Sequence, residues 1–191
     1  KNNQGYKNIV KLASKAHIEG FYMKPRINWE LLEQYHEGLI CSSACLGGEV
    51  LQNLLKGDYE KAKATAKRFK DLFGEDYYIE LQDHGLEEQK RTNPDLIRIA
   101  KELDIKMIIT NDSHYLKKED ADWHDTLLCM QTKSSKSDTN RFHFPNNEFY
   151  VKTVSELRDS FKWLDSETFD ECIKNTVEIS KKCHITVEWK A

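Results

Sequence analysis

The sequence lacks any apolar run that approaches the about 20 residues a helix needs to cross a bilayer, so a membrane-spanning protein is excluded. It also lacks a basic segment followed by an apolar stretch, which is the pattern of a secretory signal. Internal repeats, low-complexity tracts and long Pro- or Gly-rich linkers are absent as well. The 191 residues therefore suit one compact domain, or most of one.

The chain has little excess charge of either sign. Lys and Arg total 29 against 32 for Asp and Glu, a net charge of −3, which argues against a domain that holds nucleic acid by bulk electrostatics. The 5 cysteines are an odd number and include no CxxC pair, a pattern that predicts reduced thiols in a cytoplasmic protein. The 4 Trp, 8 Tyr and 8 Phe are enough to build a core, so long disorder is not expected.

Hydrophobic periodicity predicts helices that alternate with three short apolar strands. The helices are expected at 5–19, between Asn28 and Gly38, and at 47–56, 58–73, 86–103, 118–131, 153–162 and 167–183. Within 86–103, Asn93-Pro94 predicts a new helix start. The strands are expected at 39–43, 77–82 and 106–111. This alternation is typical of a parallel α/β sheet covered by helices, and both an open sheet and a (β/α) barrel fit it.

Each predicted strand is followed by a small polar cluster. Cys45 follows the first strand, His84 the second, and Asp112 and His114 the third. Because the carboxyl ends of parallel strands meet at one crevice, we expect these four side chains to converge. Asp112 and His114 are two residues apart at a strand end, so both can point the same way.

Thiolate, imidazole and carboxylate are the ligands of a transition-metal site. A metal bound there would lower the pKa of a coordinated water and would stabilise the oxygens of a phosphoester during in-line displacement, which is hydrolytic chemistry on phosphates. Each residue taken singly also has an ordinary structural explanation: a buried Cys is a small hydrophobe, and His or Asp caps a turn or a helix. The metal prediction depends on all three strand ends carrying ligand chemistry.

Four further residues are weaker candidates. Asp83 either orients a ligand or caps the following helix, and His124 either supports the metal cluster or partners Asp120 one turn away. Arg141 and His143 alternate with Phe142 and Phe144, a basic and aromatic pattern that suits contact with a nucleic-acid backbone or with a neighbouring domain. The direction of the Glu80 side chain is left open: it points into a barrel or pairs with a lysine.

Four long segments resemble one family. SACLGGEV (43–50), ELQDHGLEEQ (80–89), ITNDSHYLKKEDADWHDTLLCMQT (109–132) and NTVEISKKC (175–183) are similar to the PHP (polymerase and histidinol phosphatase) domain. The version they resemble is the one in the alpha subunit of bacterial DNA polymerase III, a C-family replicative polymerase. The resemblance runs along essentially the whole chain, and its motifs are long and occur in order.

The resemblance implies a distorted, TIM-like (β/α)7 barrel with metal ligands at the carboxyl ends of its strands. It assigns the later ligands of that cluster to Cys45, His84, Asp112 and His114, with no catalytic group separate from them. The implied cofactors are divalent metal ions, with zinc favoured and manganese or magnesium as alternatives.

The chain also departs from the family pattern. The family's site begins with a His-x-His pair, then an Asp-His pair and a Glu, and no such HxH or DHG precedes residue 40. Residues 1–191 are therefore expected to be the C-terminal two-thirds of a PHP domain whose first strands are missing. The polymerase palm, fingers and thumb are not recognised in this chain.

The implied function is that of a PHP portion of a replicative DNA polymerase. The parent protein would carry out DNA-directed DNA synthesis, and the PHP domain would be a metal-dependent phosphoesterase or 3′–5′ proofreading exonuclease; this fragment alone is expected to be inactive. The alternative is a non-catalytic module that braces the polymerase and docks a separate exonuclease. A free-standing phosphatase acting on a small phosphomonoester is the third hypothesis.

The implied partners are primer-template DNA, a proofreading exonuclease and a sliding clamp.

Overall fold

The computed structural model describes residues 1–186 as helices packed around a small parallel sheet. The three strands are β1 (Cys41–Ser42), β2 (Tyr77–Leu81) and β3 (Lys106–Ile109). The helices are α1 (Asn3–Ile18), α2 (Trp29–Tyr35), α3 (Glu49–Leu55), α4 (Tyr59–Phe73), α5 (Glu87–Glu102), α6 (Ala121–Thr132), α7 (Val154–Ser160) and α8 (Ser166–Lys182). No helix in the described range is both long and apolar enough to cross a membrane.

The sheet has the order β1-β2-β3, with both neighbouring pairs parallel. Cys41 pairs with Tyr77, and Ile79 pairs with Met107. The expected parallel α/β class is therefore confirmed. Residues 1–186 contain three strands and do not close a barrel.

Side-chain caps set the beginnings of several helices. Asn28 accepts a hydrogen bond from the Leu31 amide (3.0 Å), and Asp58 accepts one from the Lys61 amide (3.0 Å). Each satisfies one of the amide groups that the first helical turn leaves without a partner. Gly74 ends α4 with φ +57°, a conformation that disfavours residues with a Cβ atom.

The predicted new helix start at Asn93-Pro94 is wrong. Helix α5 continues through Pro94, although proline has no amide hydrogen to donate to the preceding turn. The buried face of the same helix, which includes Leu96 and Ile99, packs into the core. Apolar burial at about 25 cal/mol per Å² offsets the lost hydrogen bond.

The core lies between the sheet and the helices that cover it. Tyr77, Ile79 and Leu81 alternate along β2 and are buried against Leu96 of α5 and Phe169 of α8. Buried amides then fix the helices to the strands. The Asn175 side chain donates to the Met107 carbonyl (2.8 Å), and the Asn93 side chain donates to the Gln82 carbonyl (3.1 Å). Such bonds fix α8 to the beginning of β3 and α5 to the carboxyl end of β2.

Candidate functional site at the carboxyl ends of the strands

A hydrogen-bonded carboxylate joins the three strands at their carboxyl ends. Glu80 accepts from the Ser42 hydroxyl (2.6 Å), from the Thr110 hydroxyl (2.5 Å) and from the Gln82 amide (2.9 Å). Gln82 also donates to the Thr110 hydroxyl (3.1 Å). Glu80 therefore lies among polar groups of the sheet, which answers the question that the sequence left open about its direction.

His84, which follows β2, is 2% exposed and has both ring nitrogens in hydrogen bonds. The Gln89 side-chain amide donates to Nδ1 (2.9 Å), and Nε2 lies 2.5 Å from the Asn111 carbonyl oxygen. A carbonyl oxygen only accepts, so Nε2 carries the proton and Nδ1 is the acceptor. The neutral ring then has no lone pair left for another ligand.

Further contacts hold the same residue from other directions. The His84 amide donates to the Gln89 side-chain oxygen (2.7 Å), and the Asn146 side chain donates to the His84 carbonyl (2.7 Å). The imidazole stacks on the Phe149 ring, with centroids 4.5 Å apart and planes 7° from parallel. Burial lowers the pKa of His84, although its hydrogen bond to the Asn111 carbonyl acts in the opposite direction.

Asp112 and His114, which follow β3, are accessible. Asp112 Oδ1 lies 3.5 Å from His114 Nε2, and the two side chains are 41% and 38% exposed. The expected alignment of these two residues is therefore confirmed. Asp112 has φ +46°, which turns the chain sharply after the strand, and the His114 amide then donates to the Phe149 carbonyl (2.8 Å).

Cys45, which follows β1, is half-buried in the turn before α3. Together with Glu80, Gln82 and Gln89 it lines a gap that is too narrow to hold a water molecule. Gln89 is the residue that occupies Nδ1 of His84. Cys45 thus adjoins the hydrogen-bonded surroundings of His84.

The four predicted metal ligands fit a metal only in part. Within residues 1–186, no group of three or more His, Cys, Asp and Glu side chains comes together to hold an ion. His84 could bind only by giving up one of its two ring hydrogen bonds. The end of β3 fits better, because Asp112 and His114 are adjacent and exposed, and Asn111 Oδ1 is a buried acceptor without a hydrogen-bond partner in the described range. Carboxylate, imidazole and amide oxygen are all donors that divalent cations accept. The role of the complete set stays a prediction.

Asp83 has two structural contacts. Its Oδ1 accepts from the Gly85 amide (2.8 Å), which closes the turn after β2, and its Oδ2 accepts from the Trp163 indole (2.7 Å). Asp83 does not cap α5, because the N-cap residue of that helix is Leu86 and no side chain caps it. Its contacts instead close the turn after β2 and dock the segment after α7.

His124 lies on α6 beside His114, with ring centroids 5.5 Å apart. The rings of Tyr115 and Phe144 complete its surroundings at 5.3 and 5.0 Å. Burial and the neighbouring His114 lower the pKa of His124. Asp120, its alternative partner, instead accepts from the Lys117 amide (3.0 Å).

Arg141 and His143 belong to a loop that follows α6. Arg141 makes a two-pronged ion pair with Asp125 on α6, with N–O distances of 2.5 and 2.8 Å, and its side chain is only 12% exposed. This ion pair holds the loop against α6. It also neutralises the guanidinium charge of Arg141, which was expected to contact a nucleic-acid backbone or a neighbouring domain. His143 is exposed, and its Nδ1 lies 3.0 Å from the Phe144 carbonyl oxygen.

Between this loop and α6 lies a pocket of about 290 Å³. Several residues that shape the pocket and the surroundings of His84 lie outside the set of site residues predicted from the sequence, among them Gln89, Asn146 and Phe149. The spacing of Gln89, five residues after His84, was a usable signal because it places an amide near the imidazole. No comparable local signal connects residue 84 to 146 or 149.

A model of the PHP domain family matches residues 1–84 of this chain. The match ends at His84, so it includes Cys45 and leaves Asp112 and His114 outside it.

Curated relatives extend the comparison over nearly the whole chain. The chain is 47% identical over 182 residues to DNA polymerase III subunit alpha of Deinococcus radiodurans, an alignment that covers 95% of this chain and 14% of that protein. It is 44% identical to the protein of the same name from Treponema pallidum, covering 98% of this chain and 16% of that one. The Thermus aquaticus protein is also 44% identical, with 97% and 15% covered. The resemblance recognised in the sequence is confirmed, and the chain spans about one-seventh of the length of these relatives.

Proposed function

We propose that this chain is the PHP portion of a bacterial replicative DNA polymerase of the DNA polymerase III alpha type. Identity of 44–47% along 95–98% of the chain to proteins of that name supports the proposal most directly. The parent protein would carry out DNA-directed DNA synthesis in the cytoplasm, with primer-template DNA, a proofreading exonuclease and a sliding clamp as partners. Primer extension by a full-length protein that carries this segment tests the proposal, and the 191-residue chain should give no extension.

The proposal includes a distorted (β/α)7 barrel as the complete fold. The parallel order β1-β2-β3 and the helices that connect these strands support it. A barrel places the carboxyl ends of all its strands on one face, which is the usual location of an active site. A structure of the full-length protein in which β1 has no further neighbouring strand would contradict this fold.

For the site itself, we propose phosphoester hydrolysis at the end of β3, with a DNA strand end as the substrate. A divalent metal, zinc or alternatively manganese or magnesium, would supply Lewis acidity there. Asp112 and His114 would hold it, and Cys45 and His84 are the further predicted ligands. The exposure of Asp112 and His114 and the 3.5 Å between their side chains support this assignment.

The test uses the full-length protein with Asp112→Asn and His114→Ala. Metal content and the rate of 3′-nucleotide removal should both fall. Asp159→Asn is the matched control, because Asp159 is an exposed carboxylate (67% exposed) whose one ion pair within residues 1–186 is with Lys162, three residues away. Wild-type metal content and exonuclease rate in both site variants would reject the assignment.

Hydrogen bonds occupy both ring nitrogens and both backbone polar groups of His84. This arrangement favours a second candidate function, a non-catalytic module that braces the polymerase and docks a separate exonuclease. In that case a bound metal would contribute to folding rather than to chemistry. The expected result is that a chelator lowers the melting temperature, while nuclease activity is absent both before and after chelation. Nuclease activity that disappears with the metal would instead favour the hydrolytic proposal.

A further inference from the structure

The pocket between α6 and the loop that follows it adjoins the end of β3. Most of its lining residues carry polar or aromatic side chains, among them Tyr115, His124, Arg141, His143, Phe144 and Asn147. The rings of His124 and Phe144 both also contact His114, with centroid distances of 5.5 and 4.7 Å. A molecule in the pocket would therefore lie next to the proposed site of phosphoester hydrolysis.

Aromatic rings form one side of the pocket. His124 meets Phe144 at 5.0 Å with planes 73° apart, and meets Tyr115 at 5.3 Å with planes 45° apart. Phe144 is held in turn by Phe149, at 4.6 Å and 76°. The rings of Tyr115, His124 and Phe144 all line the pocket, and aromatic rings favour contact with planar apolar surfaces.

The charges around the pocket are neutralised by pairs. Arg141 neutralises Asp125 through two N–O contacts of 2.5 and 2.8 Å. Lys136 neutralises Asp122 at 2.6 Å. With its two carboxylates paired, the lining offers no strong site for a bare cation, and with its one arginine paired it offers none for a free phosphate.

Neutral hydrogen-bonding groups remain available. Within residues 1–186 the ring nitrogens of His124 and the side-chain amide of Asn147 have no hydrogen-bond partner in the protein. His143 uses Nδ1 for the Phe144 carbonyl, which leaves Nε2 free. A neutral imidazole and an amide each provide both donors and acceptors. The ligand that matches such a lining is a planar, neutral heterocycle with polar edges.

We infer that this pocket binds an unpaired nucleobase at the end of a single DNA strand and so directs the adjoining phosphodiester toward Asp112 and His114. Bases that leave the duplex stack on aromatic side chains and are hydrogen-bonded along their edges, and this pocket offers both kinds of contact. The inference rests on the proposed function, because it names the strand end as the substrate of the same site.

The probe is a short single-stranded oligonucleotide with a 3′-terminal 2-aminopurine, mixed with the 191-residue chain in the presence of a chelator. Stacking quenches the fluorescence of the base, so titration gives an affinity without any hydrolysis. Phe144→Leu and Asn147→Ala should each weaken binding, by about tenfold for Phe144→Leu, because base–aromatic stacking contributes about 1–3 kcal/mol per base. Trp123→Ala is the control on α6. The Trp123 side chain is 72% exposed and does not line the pocket, so this variant should bind the oligonucleotide with unchanged affinity.

A second oligonucleotide, with an abasic 3′ end, separates base recognition from backbone attraction. We expect it to bind at least about tenfold more weakly than the 2-aminopurine strand. Equal affinity for the two strands, or unchanged affinity in both pocket variants with wild-type circular dichroism, would overturn the inference. These outcomes do not depend on the metal assay, so loss of the hydrolytic proposal and loss of the base pocket would be seen separately.

Discussion

The ends of β2 and β3 carry the same kinds of residue and differ in what surrounds them. His84 is 2% exposed and has partners on both ring nitrogens, on its backbone and on its ring face. The His114 side chain is 38% exposed and has Asp112 beside it. Position at a strand end therefore does not decide whether a histidine is free to bind. Neighbouring amides and aromatic rings decide it, and they make the end of β2 closed and the end of β3 open.

The largest difference in stability between variants is expected for substitutions of these two histidines. His84→Ala should lower the free energy of unfolding by about 3 kcal/mol, because it leaves a cavity and leaves the Asn111 carbonyl and the Gln89 side chain without their partner. His114→Ala should change it by less than about 0.5 kcal/mol, as expected for an exposed residue. Urea denaturation of both variants measures the difference. Equal decreases in the free energy of unfolding would show that His84 is not held more firmly at the end of β2 than His114 is at the end of β3.

A pair of adjacent asparagines gives a smaller and more local test. Asn146→Ala removes the hydrogen bond to the His84 carbonyl and should cost about 1 kcal/mol. Asn147→Ala should leave the free energy of unfolding nearly unchanged, because its side chain has no such bond within the described residues. If denaturation gives the same value for both, the loop does not hold His84 as described.

The smallest effect is expected at the opposite end of the strands, where an ion pair between Lys106 and Glu178 connects β3 to α8. Hydrogen bonds from Lys106 and Lys182 lower the pKa of Glu178 on α8. A carboxyl group with a lowered folded-state pKa contributes stability above its unfolded pKa of about 4.3 and loses that contribution as the pH falls through the folded value.

Acidification from about pH 5 to pH 3 should therefore destabilise the wild type more than Glu178→Gln. The difference should stay below about 1 kcal/mol, because the pair is partly exposed to solvent. The check is the melting temperature of both chains across this pH range, with Glu30→Gln as a control at an exposed carboxylate. If acidification lowers the melting temperature of the wild type and of the Glu178→Gln chain equally, ionised Glu178 does not contribute this stability.

Sequence patterns predicted the helices, the three parallel strands and the pairing of Asp112 with His114, because each of these depends on neighbours within a few residues. They failed at Pro94, where burial of the α5 face outweighs a local breaker. They also missed the closure of His84. That closure depends on Asn146 and Phe149, which are 62 and 65 residues away along the chain. A residue type predicts which chemistry is available, while distant packing determines whether it is accessible.

The most direct test is the protonation of the His84 imidazole ring, observed as nitrogen–proton correlations by NMR of the 191-residue chain at neutral pH. His84 should show one fixed neutral tautomer, with the proton on Nε2 and an acceptor Nδ1, because the Asn111 carbonyl and the Gln89 amide impose it. A His84 ring that averages between tautomers, or that carries its proton on Nδ1, would contradict the closed arrangement at the end of β2.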